Sequence, residues 1–343
     1  MTTLADLRHF DEKKYLADGE KTYSQREEVE ALADKLANKH FKDIVMIGIG
    51  GTYMEWEPVA NYLKHITTEI PVYVENAGEM VLKKVMPYLN ENTLVLTSSA
   101  SGNTKEILEA VKFCNKKGID VYGFTKDENT PLAKLLKEAI YNPVGDCENS
   151  YLLYYMLTLR IFKDMGYYKE YDHWADQMKN LFSNLLRFRK EFEPRGREIA
   201  RKYYKAPLTM TVGSGILWGE TTLFSMCILE EMQWVRTRPV TSAEFFHGAL
   251  ELVDDSMPVF LVKGEDEFRP LDDRVERFAK KFTNKLEVFD TKEYVWEGID
   301  DDFRIMLSPM IITSILTDRL ATLYSLNTGH DLNFRRYYRQ FDY

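Results

Sequence analysis

Two apolar runs that end in glycine turns constrain the fold of this 343-residue chain more than any other feature: Asp43–Thr52 (DIVMIGIGGT) and Leu208–Gly215 (LTMTVGSG). A short run of Val, Ile, Leu and Met without polar alternation is the pattern of a strand covered on both faces, and such strands belong to parallel sheets flanked by helices. Similar runs follow the first at Pro71–Glu75, Thr93–Thr97 and Val121–Thr125, and follow the second at Pro258–Lys263 and Leu286–Asp290. Helical patterns lie between them. Thr104–Lys117 places Ile107, Leu108, Val111 and Cys114 on one face, and Arg274–Lys281 occupies the matching place in the second series. Strands alternating with helices predict an α/β chain with doubly wound, mainly parallel sheets. Repetition over this distance predicts two domains rather than a solenoid of short units.

The remaining segments read as helices. Residues 3–40 are polar and helical, with Ser24 as the expected N-cap of the SQREEVEALADKLANK segment. Helices are expected near 150–165 and 174–189, the second with Trp174, Met178, Leu181, Leu185 and Phe188 at helical spacing. The Glu193-Pro194-Arg195-Gly196 segment marks the expected boundary between the halves. A last helix is expected after Pro309, followed by the tail HDLNFRRYYRQFDY. The expected domains are therefore a helical segment 1–30, a first domain 31–192 with its connecting helices, a second domain 193–327 and a tail 328–343.

Charge and cysteine content narrow the function. The 45 Lys+Arg against 54 Asp+Glu leave a net charge of −9, which disfavours a nucleic-acid partner or an anionic membrane surface. Cys114, Cys147 and Cys227 lack metal-site spacing and read as buried thiols of a reducing cytoplasm. The N-terminal MTTLADLRHFDEKK has no apolar stretch of signal-peptide type, and no uncharged run near 18 residues predicts a membrane span.

The turn Thr97–Thr104 (TSSASGNT) follows an apolar strand and opens a helix. Hydroxyls and backbone N–H groups converge there on the positive end of a helix dipole, a suitable seat for a phosphate monoester. The alternative is a solvated loop with an N-cap. The equivalent turn of the second half, Lys263–Glu267, carries three carboxylates that repel phosphate, so only the first half is expected to bind it. The glycine turns at Gly48–Thr52 and Gly213–Gly215 lack the full dinucleotide pattern. Between Glu230 and Gly248, the side chains of Glu230, Glu231, Glu244 and His247 are candidates for acid–base work. Each has a structural alternative: a solvated helix end for Glu230 and Glu231, a Thr241-x-x-Glu244 capping box for Glu244, and a packed ring for His247.

These segments resemble the SIS (sugar isomerase) family, with two SIS domains in tandem across nearly the whole chain. SSASGNT matches the family's phosphate turn and implies Ser99, Ser101 and Thr104 as phosphate ligands. Gly50-Gly51-Thr52 resembles the first glycine turn, and Glu75–Glu79 the next strand end. The resemblance also implies Gly51, Thr52, Glu148 and Ser214 as sugar-binding residues. The segment from VGSG through EEMQW to SAEFFHGALELVD resembles the isomerase half of glucosamine-6-phosphate synthase. Its catalytic Glu and His match Glu231 and His247, 247 − 231 = 16 positions apart. The tail NFRRYYRQFDY resembles the bacterial fructosamine-6-phosphate deglycases.

The resemblance implies cleavage of a 6-phosphorylated Amadori product to glucose 6-phosphate and an amine, with no cofactor and no metal. It further implies a homodimer, or a higher homo-oligomer, that shares site residues between subunits. Two features depart from the pattern: His247-Gly248-Ala249 replaces the usual His-Gly-Pro, and the synthase's C-terminal lysine motif is not evident. The alternatives are an amino-sugar-phosphate or ketose/aldose-phosphate isomerase, and a sugar-phosphate sensor without turnover. Absence of a basic helix-turn-helix segment counts against the sensor.

Overall fold

A computed structural model describes residues 4–341, so the first three residues of the 1–30 segment and the last two of the 328–343 tail lie outside the described residues. The chain divides into two units, one of them Lys13–Phe182 and the other Ser183 onward together with the residues before Lys13.

The Lys13–Phe182 unit follows two helices, α1 (Glu12–Tyr23) and α2 (Arg26–Ala37), with the series β1 (Asp43–Gly48), α3 (Gly51–Ile66), β2 (Val72–Asn76), α4 (Ala77–Met80), β3 (Thr93–Ser99), α5 (Lys105–Lys116), β4 (Val121–Thr125), β5 (Glu138–Tyr141), α6 (Cys147–Asp164) and α7 (Tyr171–Gln177). All five strands are parallel, in the order β2-β1-β3-β4-β5. Strand side chains alternate between two covered faces. Val45, Ile47, Val95 and Val121 pack against Ile107, Ala110, Val111 and Cys114 of α5. On the opposite face Phe124 meets Trp56 of α3 and Tyr154 of α6, the last two stacked with ring centroids 4.0 Å apart. Burial on both sides explains why β1, β3 and β4 read as continuous apolar runs.

The second unit repeats the plan with α8 (Leu181–Tyr203), β6 (Thr209–Gly213), α9 (Trp218–Leu223), β7 (Thr237–Thr241), β8 (Val259–Lys263), α10 (Arg269–Phe282), β9 (Leu286–Asp290), α11 (Arg304–Ile312) and α12 (Ala321–Thr328). Its parallel order is β7-β6-β8-β9, so the first four strands of each unit take the same arrangement. Met210, Val212, Val259 and Leu261 face Val275 of α10, and Phe260 and Phe289 face Tyr203 and Phe192 of α8.

Several expectations are corrected here. Ser24 is not the N-cap of α2: Gln25 holds that position, and the Ser24 hydroxyl donates to the Lys21 carbonyl at the end of α1. The Glu193–Gly196 segment, expected as the boundary between the halves, does not divide the units. It lies inside α8, and the units divide at Phe182/Ser183. Pro194 removes one helical hydrogen bond, but packing holds the helix through it. Gly196 is needed because a Cβ there would come within 2.8 Å of Leu323 and Phe192. The last helix starts before Pro309, which sits within α11. The run Asp301–Thr328 has the length and hydropathy of a membrane span, yet 78% of its apolar window is buried in the fold, as in a core helix. Only Cys114 is fully buried; Cys147 and Cys227 are half-buried.

Candidate active site

A doubly wound sheet binds ligands beyond the C-terminal ends of its strands, where the strand order reverses. In the Lys13–Phe182 unit that point lies between β1 and β3. The Ile49–Thr52 turn leaves β1 and the Ser99–Thr104 turn leaves β3, so strand pairing alone brings the two turns together. The Ser99 hydroxyl is buried, accepts the Gly102 N–H at 3.1 Å and lies 3.1 Å from the Thr104 hydroxyl. Ser101 is half-buried and its hydroxyl accepts the Asn103 N–H at 3.5 Å. Gly102 takes φ +64°, and a Cβ there would meet Thr130 and Thr125 within 2.6 Å, so the turn requires glycine. Thr104 is the N-cap of α5 but makes no side-chain cap, its hydroxyl being paired with Ser99, so the first N–H groups of the helix are not capped by it.

The sugar candidates divide. A Cβ built on Gly51 would meet nothing within 4 Å, so open space borders the start of α3. Thr52 is engaged within its own turn, accepting the Ile49 N–H and donating to the Ile49 carbonyl. Glu148 is buried in the first turn of α6 and accepts the Tyr15 hydroxyl at 2.5 Å. Sequence reasoning missed the polar network beside the Ser99–Thr104 turn: Tyr154 of α6 donates to the Ser98 hydroxyl at 2.6 Å and lies 3.2 Å from the Glu55 carboxylate of α3. Burial pushes Glu55 up to about 7, against the opposing hydrogen bonds of Cys147 and Tyr154. A buried Glu in an apolar helix was the available signal.

The equivalent place in the second unit is closed by its own carboxylates. Asp266 accepts the Ile216 N–H at 2.6 Å and the Phe268 N–H at 3.1 Å. A Cβ on Gly215, whose φ is +54°, would fall 2.1 Å from Asp266. Asp272 accepts the hydroxyls of Ser214 and Ser242 at 2.6 and 2.5 Å, and burial pushes it up to about 6. Ser214 is thus buried and engaged by Asp272. Glu265 forms a two-pronged ion pair with Arg304 at 2.8 and 2.9 Å. Of the carboxylates that read as repelling phosphate, Asp266 thus occupies backbone N–H groups of the turn, and Glu265 is held by Arg304.

Glu231 follows a π-helical segment, Phe224–Glu230, and its N–H reaches back five residues to the Met226 carbonyl. Such segments often mark functional positions. Its carboxylate accepts Arg335 Nε at 2.9 Å. Glu231 lines a cavity of about 790 Å³ together with Glu230, Trp234, Arg236, Thr237 and the tail residues Arg335–Tyr338. His247 ends a short 3₁₀ turn, is exposed and is not among the lining residues. Glu244 is exposed, and its N–H donates to the Thr241 hydroxyl at 3.1 Å. Among the described residues, no group of three or more His, Cys, Asp or Glu side chains is placed to hold a metal ion.

The model of the SIS domain matches residues 35–162, which carry both turns of the β1–β3 crevice. That match falls on the first of the two parallel α/β sheets on which the chain is built. It is similar to Fructosamine deglycase FrlB of Bacillus subtilis, 28% identical over 326 residues, which covers 92% of this chain and 97% of that one. It is also similar to Fructoselysine 6-phosphate deglycase of Escherichia coli, 24% identical over 313 residues, covering 90% and 89%. Among solved structures, a candidate phosphosugar isomerase from Bacillus subtilis superposes with a TM-score of 0.86 at 25% identity, covering 94% of this chain and 100% of that one.

Proposed function

We propose that this protein is a deglycase that converts a 6-phosphorylated fructosamine into glucose 6-phosphate and a free amine. The observation that carries the reading is the contrast between the units: hydroxyls and helix N–H groups ring the β1–β3 crevice, while Asp266 and Asp272 fill its counterpart. Similarity to the two deglycases along nine-tenths of the chain supports the substrate class. Ser99, Ser101 and Thr104 hold the phosphate, with Gly51, Thr52, Glu148 and Ser214 proposed around the sugar. The engaged hydroxyls of Thr52 and Ser214 and the engaged Glu148 carboxylate leave Gly51 the best supported of these four.

The substrate carries an amine on C1 and a ketone at C2 once its ring is open. Glu231 removes a C1 proton while His247 delivers one to the C2 oxygen, giving an enaminol. The Glu231 carboxylic acid then protonates C2: the electron pair of the C1=C2 bond forms the C2–H bond, the nitrogen lone pair forms C1=N, and loss of the N–H proton leaves the imine. Water adds to C1, the C1–N bond breaks, the nitrogen takes a proton and the aldehyde of glucose 6-phosphate remains. Removal of the base is worth roughly 10²–10⁴-fold in turnover. The exposed His247 turn is proposed to complete the site of a second subunit in a cytoplasmic homodimer.

The test supplies purified protein with 6-phosphofructosyl-glycine and follows glucose 6-phosphate release. Turnover by the wild type, lost about 10²–10⁴-fold in Glu231→Gln, is the expected result. Interconversion of fructose and glucose 6-phosphates, without cleavage of any conjugate, would instead assign an isomerase, which needs the same proton transfer. Binding of sugar phosphate without any reaction would assign a sensor.

A further inference from the structure

A buried acid that the proposed reaction does not use adjoins the Ser99–Thr104 turn. Glu55 of α3, Ser98 of β3 and Tyr154 of α6 are buried together, and Ser98 directly precedes Ser99. The start of α6 approaches the same turn, since a Cβ built on Gly145 would lie 3.7 Å from Ala100. Cys147 and Tyr154 of α6 hydrogen-bond the Glu55 carboxylate, and Asp146, the N-cap of that helix, adds a like charge. Among the described residues no cation pairs with Glu55.

The Tyr154 hydroxyl has one proton and two partners, the Ser98 hydroxyl at 2.6 Å and the Glu55 carboxylate at 3.2 Å. A neutral Glu55 is itself a donor, so Tyr154 accepts from it and gives its own proton to Ser98. An ionised Glu55 only accepts, and it competes with Ser98 for the tyrosine proton. Burial keeps Tyr154 neutral, so the carboxyl sets the direction of the network. An ionised Glu55 also brings a negative charge into the buried layer beside the turn, where a second anion is repelled at low dielectric.

We infer that Glu55 is a positioning residue for the Ser99–Thr104 turn: its neutral form holds Ser98 through Tyr154, and its ionised form weakens the hold of the turn on a phosphate dianion. The inference rests on the phosphate seat proposed above, and not on which bond the enzyme cleaves. Burial raises the Glu55 carboxyl to about 7, so the two forms exchange in the neutral range. Affinity for the phosphate therefore falls as pH rises through that value. The coupling is reciprocal: a bound dianion raises the Glu55 carboxyl further, and binding takes up a proton.

The test follows glucose 6-phosphate binding by titration calorimetry from pH 6 to 8.5, in buffers of different ionisation enthalpy, with the wild type and Glu55→Gln and with glucose as the unphosphorylated control. Gln keeps a donor for Tyr154 and cannot ionise. The second ionisation of the ligand's phosphate, at about 6, is common to both proteins and cancels from their ratio. The two proteins are expected to bind alike at pH 6, and the wild type to bind about 10-fold more weakly than the variant at pH 8.5. At pH 8 the ligand is fully ionised, and the wild type is expected to take up a fraction of a proton that the variant does not. Affinities that keep one ratio across the pH range overturn the inference and leave the phosphate seat standing; a uniform loss in the variant marks a structural role only. If the variant does not fold, the wild type decides, and absence of proton uptake at pH 8 overturns the inference. Equal affinity for glucose and glucose 6-phosphate, or binding of neither, overturns the phosphate seat, and this inference with it.

Discussion

Ser101, proposed to hold the phosphate, contributes little to the packing of its own turn. Its hydroxyl is half-buried and makes one long contact, to the Asn103 N–H at 3.5 Å, so its loss leaves the turn standing. Ser99 differs: it is buried and accepts the Gly102 N–H that closes the turn. Ser101→Ala is therefore the cleaner probe. A hydrogen bond to a charged group is worth about 1.5–3 kcal/mol, or about one to two powers of ten in affinity. KM for the phosphorylated conjugate is expected to rise about 10–100-fold with kcat nearly constant, the mark of binding shared by ground and transition states. Steady-state kinetics checks this, and an unmoved KM removes Ser101 from the phosphate site.

At the scale of elements, α3, β3 and α6 meet through Glu55, Ser98 and Tyr154, and the network carries a pH signature. Burial raises Glu55 to about 7, with nearby Asp146 pushing in the same direction. Its unfolded value is about 4.3. Between these values the folded state binds more protons than the unfolded one, so stability falls as pH rises through the window, by at most about 1.4 kcal/mol per pH unit. Glu55→Gln keeps the shape and removes the titration. Urea unfolding from pH 4 to 8 is expected to show the variant gaining on the wild type up to about pH 7 and holding a constant lead above it. Asp272, raised to about 6 by burial, titrates in both proteins and cancels from the difference. Parallel profiles would show that Glu55 ionises normally.

Across the whole molecule, two copies of one strand order have diverged by filling or leaving open the same place. The proposed second subunit adds a test that neither copy supplies alone. Glu231 lines the tail cavity, whereas His247 is exposed on its own short turn. If His247 serves a neighbour's site, mixed Glu231→Gln and His247→Ala chains regain part of the activity after subunit exchange, because one site per mixed dimer carries both native residues. Exchange confirmed by mass spectrometry without regained turnover would assign both residues to one chain's site.

The amino-acid sequence by itself determined the buried strands, the tandem plan and the hydroxyl-rich turn at the mouth of α5. A strand covered on both faces is written as an unbroken apolar run, and a helix mouth rich in hydroxyls is local in the chain. It left β5 and β7 unread, since Glu138–Tyr141 is four residues long and Thr237–Thr241 carries Arg238 and Pro239, which only an edge strand tolerates. Tertiary structure decided the rest. The pair Pro194 and Gly196 reads as a break, yet packing of Gly196 against Leu323 and Phe192 carries α8 through it. Asp266 reads as a repulsive charge and Asp272 goes unread, yet they hold the backbone and hydroxyls of distant turns. Arg335 is 104 positions from the Glu231 it pairs with. Local pattern records how one segment buries its own apolar atoms, whereas the partner of a charge is set by which segments the sheets bring together.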